Sequence, residues 1–139
     1  MDQLLVNLQL MGYIRRDLGN LMRYCETASD ATRIPIPIGY PVVGRDAFRT
    51  ATGVHAAAVI KAFRKGDEWL ADMVYSGVPA KMVGREQLIE IGPMSGKSNI
   101  VFWLERHGVE ATEERVERIF THAKRWSAVL TDEEIMTLV

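Results

Sequence analysis

With a single cysteine, Cys25, the chain cannot form a disulfide within itself, and a reducing, cytoplasmic setting is the expectation. Charge of either sign is not in excess. Lys and Arg number 17, Asp and Glu 18, and they are interspersed, for a net charge of −1. That balance argues against a nucleic-acid-binding field and against an acidic solvated arm. No apolar run reaches the ~18 residues that a membrane span needs. The N-terminus lacks the basic stretch and apolar core of a secretory signal. His55, His107 and His122 share no metal-ligand spacing with each other or with Cys25. No Gly-x-Ser-x-Gly elbow, Cys/His nucleophile arrangement, internal repeat or low-complexity tract is present. What remains, 47% hydrophobic and 25% charged over 139 residues, suits one ordinary globular domain or two small subdomains.

The periodicity is helical. Leu4, Leu5, Leu8 and Met11 give Met1 to Met11 an apolar stripe, and Gly12 is placed to end that helix in a left-handed conformation. A chain that opens inside an amphipathic helix predicts that a longer polypeptide precedes it. Asp17 is expected to cap a second helix whose buried stripe is Leu18, Leu21, Met22, Cys25 and Ala28. Pro35, Pro37 and Pro41 then forbid helix and predict an ordered, extended connector. A third helix is expected over 51–64, stopping at Lys65-Gly66, and a fourth over 67–75, capped by Asp67 and broken by Ser76-Gly77-Val78-Pro79. Alternation over 87–91 suggests a short strand. Helices follow from about Ser95 to His107 and from the Thr112 cap, the latter with an apolar face of Val116, Ile119, Phe120, Ala123 and Trp126. The acidic pairs Glu113/Glu114 and Glu133/Glu134 sit where helix dipoles favour negative charge, so they do not imply an acid/base dyad. Thr131 and Glu134 make a capping box, flanked by a Leu130/Ile135 staple. The fold class is mainly α with a small β element.

Three places merit a chemical reading. His55 follows Thr52-Gly53 and opens an alanine-rich helix, with Ala51, Ala58 and Ala62 on its own face, so that little bulk surrounds the imidazole. It is either a core or capping histidine on a tightly packed helix, or a group presented to another surface. Gly92 to Ser98 looks like a phosphate-binding loop but is one residue short, because Ile91 occupies the position of the first glycine. Ser95, Gly96 and Lys97 are then either a capped helix start or an anion-binding N-terminus. Tyr75 precedes a Gly-Pro turn, either with its ring packed and its hydroxyl wet or with a phenol extended from a loop edge.

The run Ala47-Phe48-x-x-x-Thr52-Gly53-Val54-His55, followed by Ala58-Val59-Ile60-Lys61, resembles the C-terminal part of 2-isopropylmalate synthases and the related homocitrate and citramalate synthases. That family reads Ala-Phe-x-x-x-Ser-Gly-Ile-His, then a small residue, two aliphatics and a lysine. Tyr75, Val83-Gly84-Arg85 and Ser95-Gly96-Lys97 are similar to further family landmarks in the same order.

The resemblance implies helical C-terminal accessory subdomains of a TIM-barrel acyltransferase. Residues 1–12 would be the last helix of the barrel, 13–76 a first linker subdomain and 77–139 a second, with no allosteric domain expected after them. It implies a homodimer in which His55 and Tyr75 are catalytic residues delivered into the partner subunit's site. Gly53, Ser95 and Lys97 would contact substrate. The divalent metal belongs to the barrel and none to these residues. The reaction would be a Claisen-type condensation of acetyl-CoA with a 2-oxo acid, for which a histidine is a fitting proton-transfer group because it ordinarily titrates near neutrality. The expected acceptor is 2-oxoisovalerate, in leucine biosynthesis. The alternatives are homocitrate, citramalate or Re-type citrate synthesis, a stand-alone non-catalytic helical module, or a phosphate- or CoA-binding module centred on 95–98. Ala56 and Ala57 replace a polar or acidic pair common in the family, which would alter the acceptor if that pair touches it.

Overall fold

A computed structural model describes residues 1–139 and contains seven α-helices, one 3₁₀ helix and two very short strands. The expected class, mainly α with a small β element, is what is found. No helix is long and apolar enough to cross a membrane. The chain divides into two compact units, each discontinuous in sequence, so that residues 13–76 and 77–139 both contribute to each unit. Unit 1 joins Met1–Phe48 with Tyr75–Gln87, and unit 2 joins Arg49–Val74 with Leu88–Val139.

Unit 1 contains α1 (Asp2–Leu10), α2 (Leu21–Thr32), the proline connector and the 3₁₀ helix Ala80–Val83. Its core gathers Val6, Leu18, Leu21, Cys25, Val43 and Val83. Gly12 ends α1 with φ +78° as expected. Asp17 does not cap α2. Its Oδ1 accepts from the Gly19 amide at 2.8 Å and shapes the turn instead, so α2 starts at Leu21 and Ala28 faces solvent. The 3₁₀ helix after the Pro79 break carries no apolar periodicity and was not expected.

The connector is held rather than draped. Val42 has φ +69°, a rare conformation for a β-branched residue, and Phe48 has φ +66°. The Arg85 guanidinium stabilises this path by donating through Nη1 to the carbonyls of Val42 (3.0 Å) and Gly44 (2.6 Å), and it lies over the Phe48 ring. The Val83-Gly84-Arg85 motif is therefore a structural clamp. Gly84 has φ +72°, and a Cβ there would sit 2.4 Å from the Gly19 carbonyl oxygen.

In unit 2, β1 (Arg49–Thr50) pairs in parallel with β2 (Leu88–Ile89), a partner for the expected strand that alternation did not reveal. Helix α3 (Gly53–Arg64) packs on α4 (Glu68–Met73) and on α5 (Lys97–Arg106). Helix α5 faces two cores. Phe102 joins Ala56, Val59, Ile60, Ala62, Ala71 and Ile89, while Ile100, Trp103 and Leu104 join Ile91, just after β2, and Val116, Ile119, Ala123, Leu130 and Ile135 from α6 (Glu113–Arg125), α7 (Asp132–Thr137) and the segment between them. The caps fall as expected: the Asp67 carboxylate accepts from the Leu70 amide, the Thr112 hydroxyl from the Arg115 amide, and Thr131 with Glu134 close a capping box. Trp126 departs from expectation. It lies just past the end of α6, in extended backbone, and is 44% exposed.

Two glycines with positive φ separate conformational strain from steric clash. Gly12→Ala, with nothing within 4 Å of the new methyl group, should cost about 1 kcal/mol from backbone strain alone. Gly84→Ala adds a backbone collision and should cost more, by at least about 1–2 kcal/mol. Urea unfolding of the two variants checks the order. Burial, and next the Asp2 carboxylate, push the Cys25 thiol above its ordinary pKa. The native state therefore holds that proton more tightly, and the resulting stability is present below the ordinary thiol range and lost as pH rises through the raised value. Alkylation of Cys25 at pH 8 should be slower in the folded chain than in urea.

Candidate functional site

The site is built on the first turn of α3. Thr52 is its N-cap residue, in extended backbone, and Gly53, Val54 and His55 begin the helix. Helix amphipathicity sends Ala56, Val59, Ile60 and Ala62 into the core and leaves Val54, His55 and Ala57 exposed. The imidazole is thus on the solvent side, and the core-histidine alternative does not hold. Ala56 is fully buried, so of the Ala56-Ala57 pair only Ala57 is placed to touch anything outside the unit.

Behind this turn lies a knot of backbone capping. The Ser95 hydroxyl is buried, lies 2.6 Å from the Ala51 carbonyl oxygen to which it donates, and accepts from the Gly92 amide at 2.9 Å. The Asn99 side chain has no exposed surface. Its Nδ2 donates to the carbonyls of Glu90 (2.9 Å) and Ala51 (3.3 Å), and its Oδ1 accepts from the Gly96 amide (3.2 Å). The Gly53 amide donates to the Met94 carbonyl at 2.9 Å. A Cβ at Gly53 would stand 2.7 Å from the Gly96 nitrogen, so two backbones meet where only hydrogen fits. From the other side, the Lys124 ammonium donates to the carbonyls of Pro93 (2.7 Å) and Ser95 (2.9 Å).

This geometry revises the sequence reading of three residues. Ser95 does not offer an open hydroxyl to an anion, because both its donor and its acceptor capacity are engaged inside the fold. Gly53 serves close backbone approach. Lys97 is exposed and paired with Glu117, with its ammonium 5.6 Å from the centre of the Phe120 ring. Of the two expected catalytic residues, His55 is in unit 2 and Tyr75, half exposed in a turn, is in unit 1. Asn99 and Lys124 were missed. Asn99 is in the first turn of α5, four residues after Ser95, which precedes the N-cap Gly96, and that short spacing was the available signal.

The residues do not fit a divalent ion. No group of three or more His, Cys, Asp or Glu side chains converges. The His107 ring stacks on Trp103 with its Nδ1 2.8 Å from the Trp103 carbonyl, and His122 stacks on Trp126. No step through a metal follows from these side chains.

The fold defines a mainly helical module that presents one exposed imidazole from a braced helix start. No family model matches the chain, but individual proteins do. A homocitrate synthase of Pyrococcus horikoshii is 31% identical over 96 residues, 69% of this chain and 24% of that protein. An (R)-citramalate synthase of Aquifex aeolicus is 32% identical over 108 residues, 75% of this chain and 19% of that protein. A 2-isopropylmalate synthase of Acetivibrio thermocellus is 28% identical over 114 residues, covering 81% of this chain and 20% of that protein. The chain belongs to this family of synthases, and it spans 19–24% of the length of these relatives.

The two kinds of position should respond differently to substitution. His55→Ala, on an exposed helix face, should change unfolding free energy by less than about 0.5 kcal/mol. Gly53→Ala must displace the Gly96 backbone and should cost about 1–3 kcal/mol. Thermal unfolding followed by circular dichroism measures both.

Proposed function

We propose that this chain is the accessory region of an acetyl-CoA-dependent 2-oxo acid condensing enzyme, with 2-isopropylmalate synthase the preferred member. The observation that carries the reading is an exposed imidazole on a helix start locked from behind, in a chain related over most of its length to such synthases. In this reading the carbon–carbon bond is made by residues in the part of the relatives' length that the chain does not match, with a divalent metal and acetyl-CoA bound there. The chain contributes His55, and Tyr75 with it, to the active site of a partner subunit in a homodimer.

The chemistry asks for such a group. A proton must leave the acetyl methyl carbon so that the resulting enolate can attack the 2-oxo carbon, and water must then cleave the thioester. A neutral imidazole takes up a proton at one nitrogen, and the resulting imidazolium returns it. The exposed neighbours of His55 on α3 are Val54 and Ala57, whereas Ala62, expected on its face, is buried, so the ring can approach a cleft with only small side chains beside it. Homocitrate and citramalate synthesis share these steps and differ in the acceptor, so the acceptor is the open variable among the named relatives.

The test is thiol release from acetyl-CoA, with 2-oxoisovalerate, 2-oxoglutarate, pyruvate and oxaloacetate as acceptors. The polypeptide assayed must carry both this region and a barrel. Preference for 2-oxoisovalerate is expected, and preference for another acceptor reassigns the member within the family. His55→Ala should lower kcat by about 100-fold or more, with a smaller effect on the KM for acetyl-CoA. An unchanged kcat would remove the histidine from the reaction. The 139 residues alone should release no thiol.

A further inference from the structure

We infer that Asn99, together with Ser95, is a positioning pair for His55: by capping the Ala51 and Glu90 carbonyls it sets where helix α3 begins and therefore where the imidazole stands. The inference rests on the proposed role of His55 for its functional part, whereas its structural part stands on geometry alone. The Ala51 carbonyl lies at the end of β1, immediately before the N-cap Thr52, and it accepts from both Ser95 Oγ (2.6 Å) and Asn99 Nδ2 (3.3 Å). The Glu90 carbonyl, just past β2, accepts from Asn99 Nδ2 at 2.9 Å, and the Glu90 amide donates to Thr50. One amide side chain therefore ties the ends of both strands to the first turn of α5, while its Oδ1 receives the Gly96 amide. Gly96 is the backbone against which Gly53 lies.

Each element of this arrangement is rigid for a stated reason. Asn99 is wholly buried, and Ser95 Oγ reaches the same two carbonyls, at 2.6 Å for Ala51 and 3.2 Å for Glu90, so the two side chains share the capping. The amide side chain supplies both a donor for the carbonyls and an acceptor for the Gly96 N–H, whereas an isosteric carboxylate would oppose the two carbonyl oxygens. His55 lies two residues after Gly53, within the first helical turn, so a rotation of the helix start is carried directly into the position of the ring. The neighbouring exposed residues Val54 and Ala57 supply no such constraint.

The experiment is amide hydrogen exchange by NMR on the 139-residue chain, comparing wild type with Asn99→Ala and the milder Ser95→Ala. The Gly53 and Ala56 amides report the first turn, through their bonds to Met94 and Thr52. Ile60 in mid-helix and Ile119 in α6 report the unit as a whole. First-turn protection should fall at least about tenfold more than protection at Ile60 and Ile119. An equal fall at all four amides, or retained protection at Gly53 and Ala56, overturns the pair as a positioning device. If Asn99→Ala does not fold, Ser95→Ala decides by the same criterion. In a polypeptide competent for the condensation, both variants should lower kcat about tenfold with the KM for acetyl-CoA within about twofold. Full kcat in these variants, with His55→Ala inactive, overturns the positioning role alone. Full kcat in His55→Ala overturns the catalytic reading instead.

Discussion

Two carbonyl groups that no strand or helix satisfies organise the part of the chain that matters most. Ala51 and Glu90 end a two-residue parallel ladder too short to stand alone. Ser95 and Asn99 complete the ladder by replacing the neighbouring strands it lacks with side-chain donors. A net hydrogen bond contributes only about 1 kcal/mol, yet a buried carbonyl left bare costs about 1–3. Because Ser95 and Asn99 both reach both carbonyls, the two side chains act as a unit rather than as separate bonds. The start of α3, the loop 92–96 and the start of α5 all converge on it, and the imidazole of His55 takes its place from the result.

Unit 1 uses a similar device in a different setting. There the unsatisfied carbonyls belong to a connector whose prolines prevent any ladder, and the donor is the Arg85 guanidinium. A charged guanidinium suits this role because its Nη1 carries two hydrogens and reaches both acceptors at once. It holds Val42 in a left-handed conformation that this residue type otherwise avoids. In both units a motif that reads in sequence as a ligand contact or family landmark works as backbone bracing.

This pattern explains which residues were readable for function. His55 stood out through its alanine neighbours and through family likeness, and the fold leaves its helix face open. Ser95 and Lys97 stood out because serine, glycine and lysine at a helix start suit an anion. The same polar atoms suit buried carbonyls equally well, and sequence spacing cannot say which lies within reach. Asn99 drew no attention because the carbonyls it caps are 9 and 48 residues away. The Asp17 cap failed for a related reason: a turn amide two residues on captured the carboxylate first.

The sequence by itself determined the helical class, most helix ends and the capping box, since these depend on residues within one or two turns of each other, and its ordered motifs carried the family. The tertiary structure alone decided that the units are discontinuous, that Gly53 and Gly96 share one close contact, and that Ser95 and Asn99 face inward. Those outcomes join segments about forty residues apart, whose approach is set by side-chain packing on both faces of α5, and no local periodicity encodes that approach.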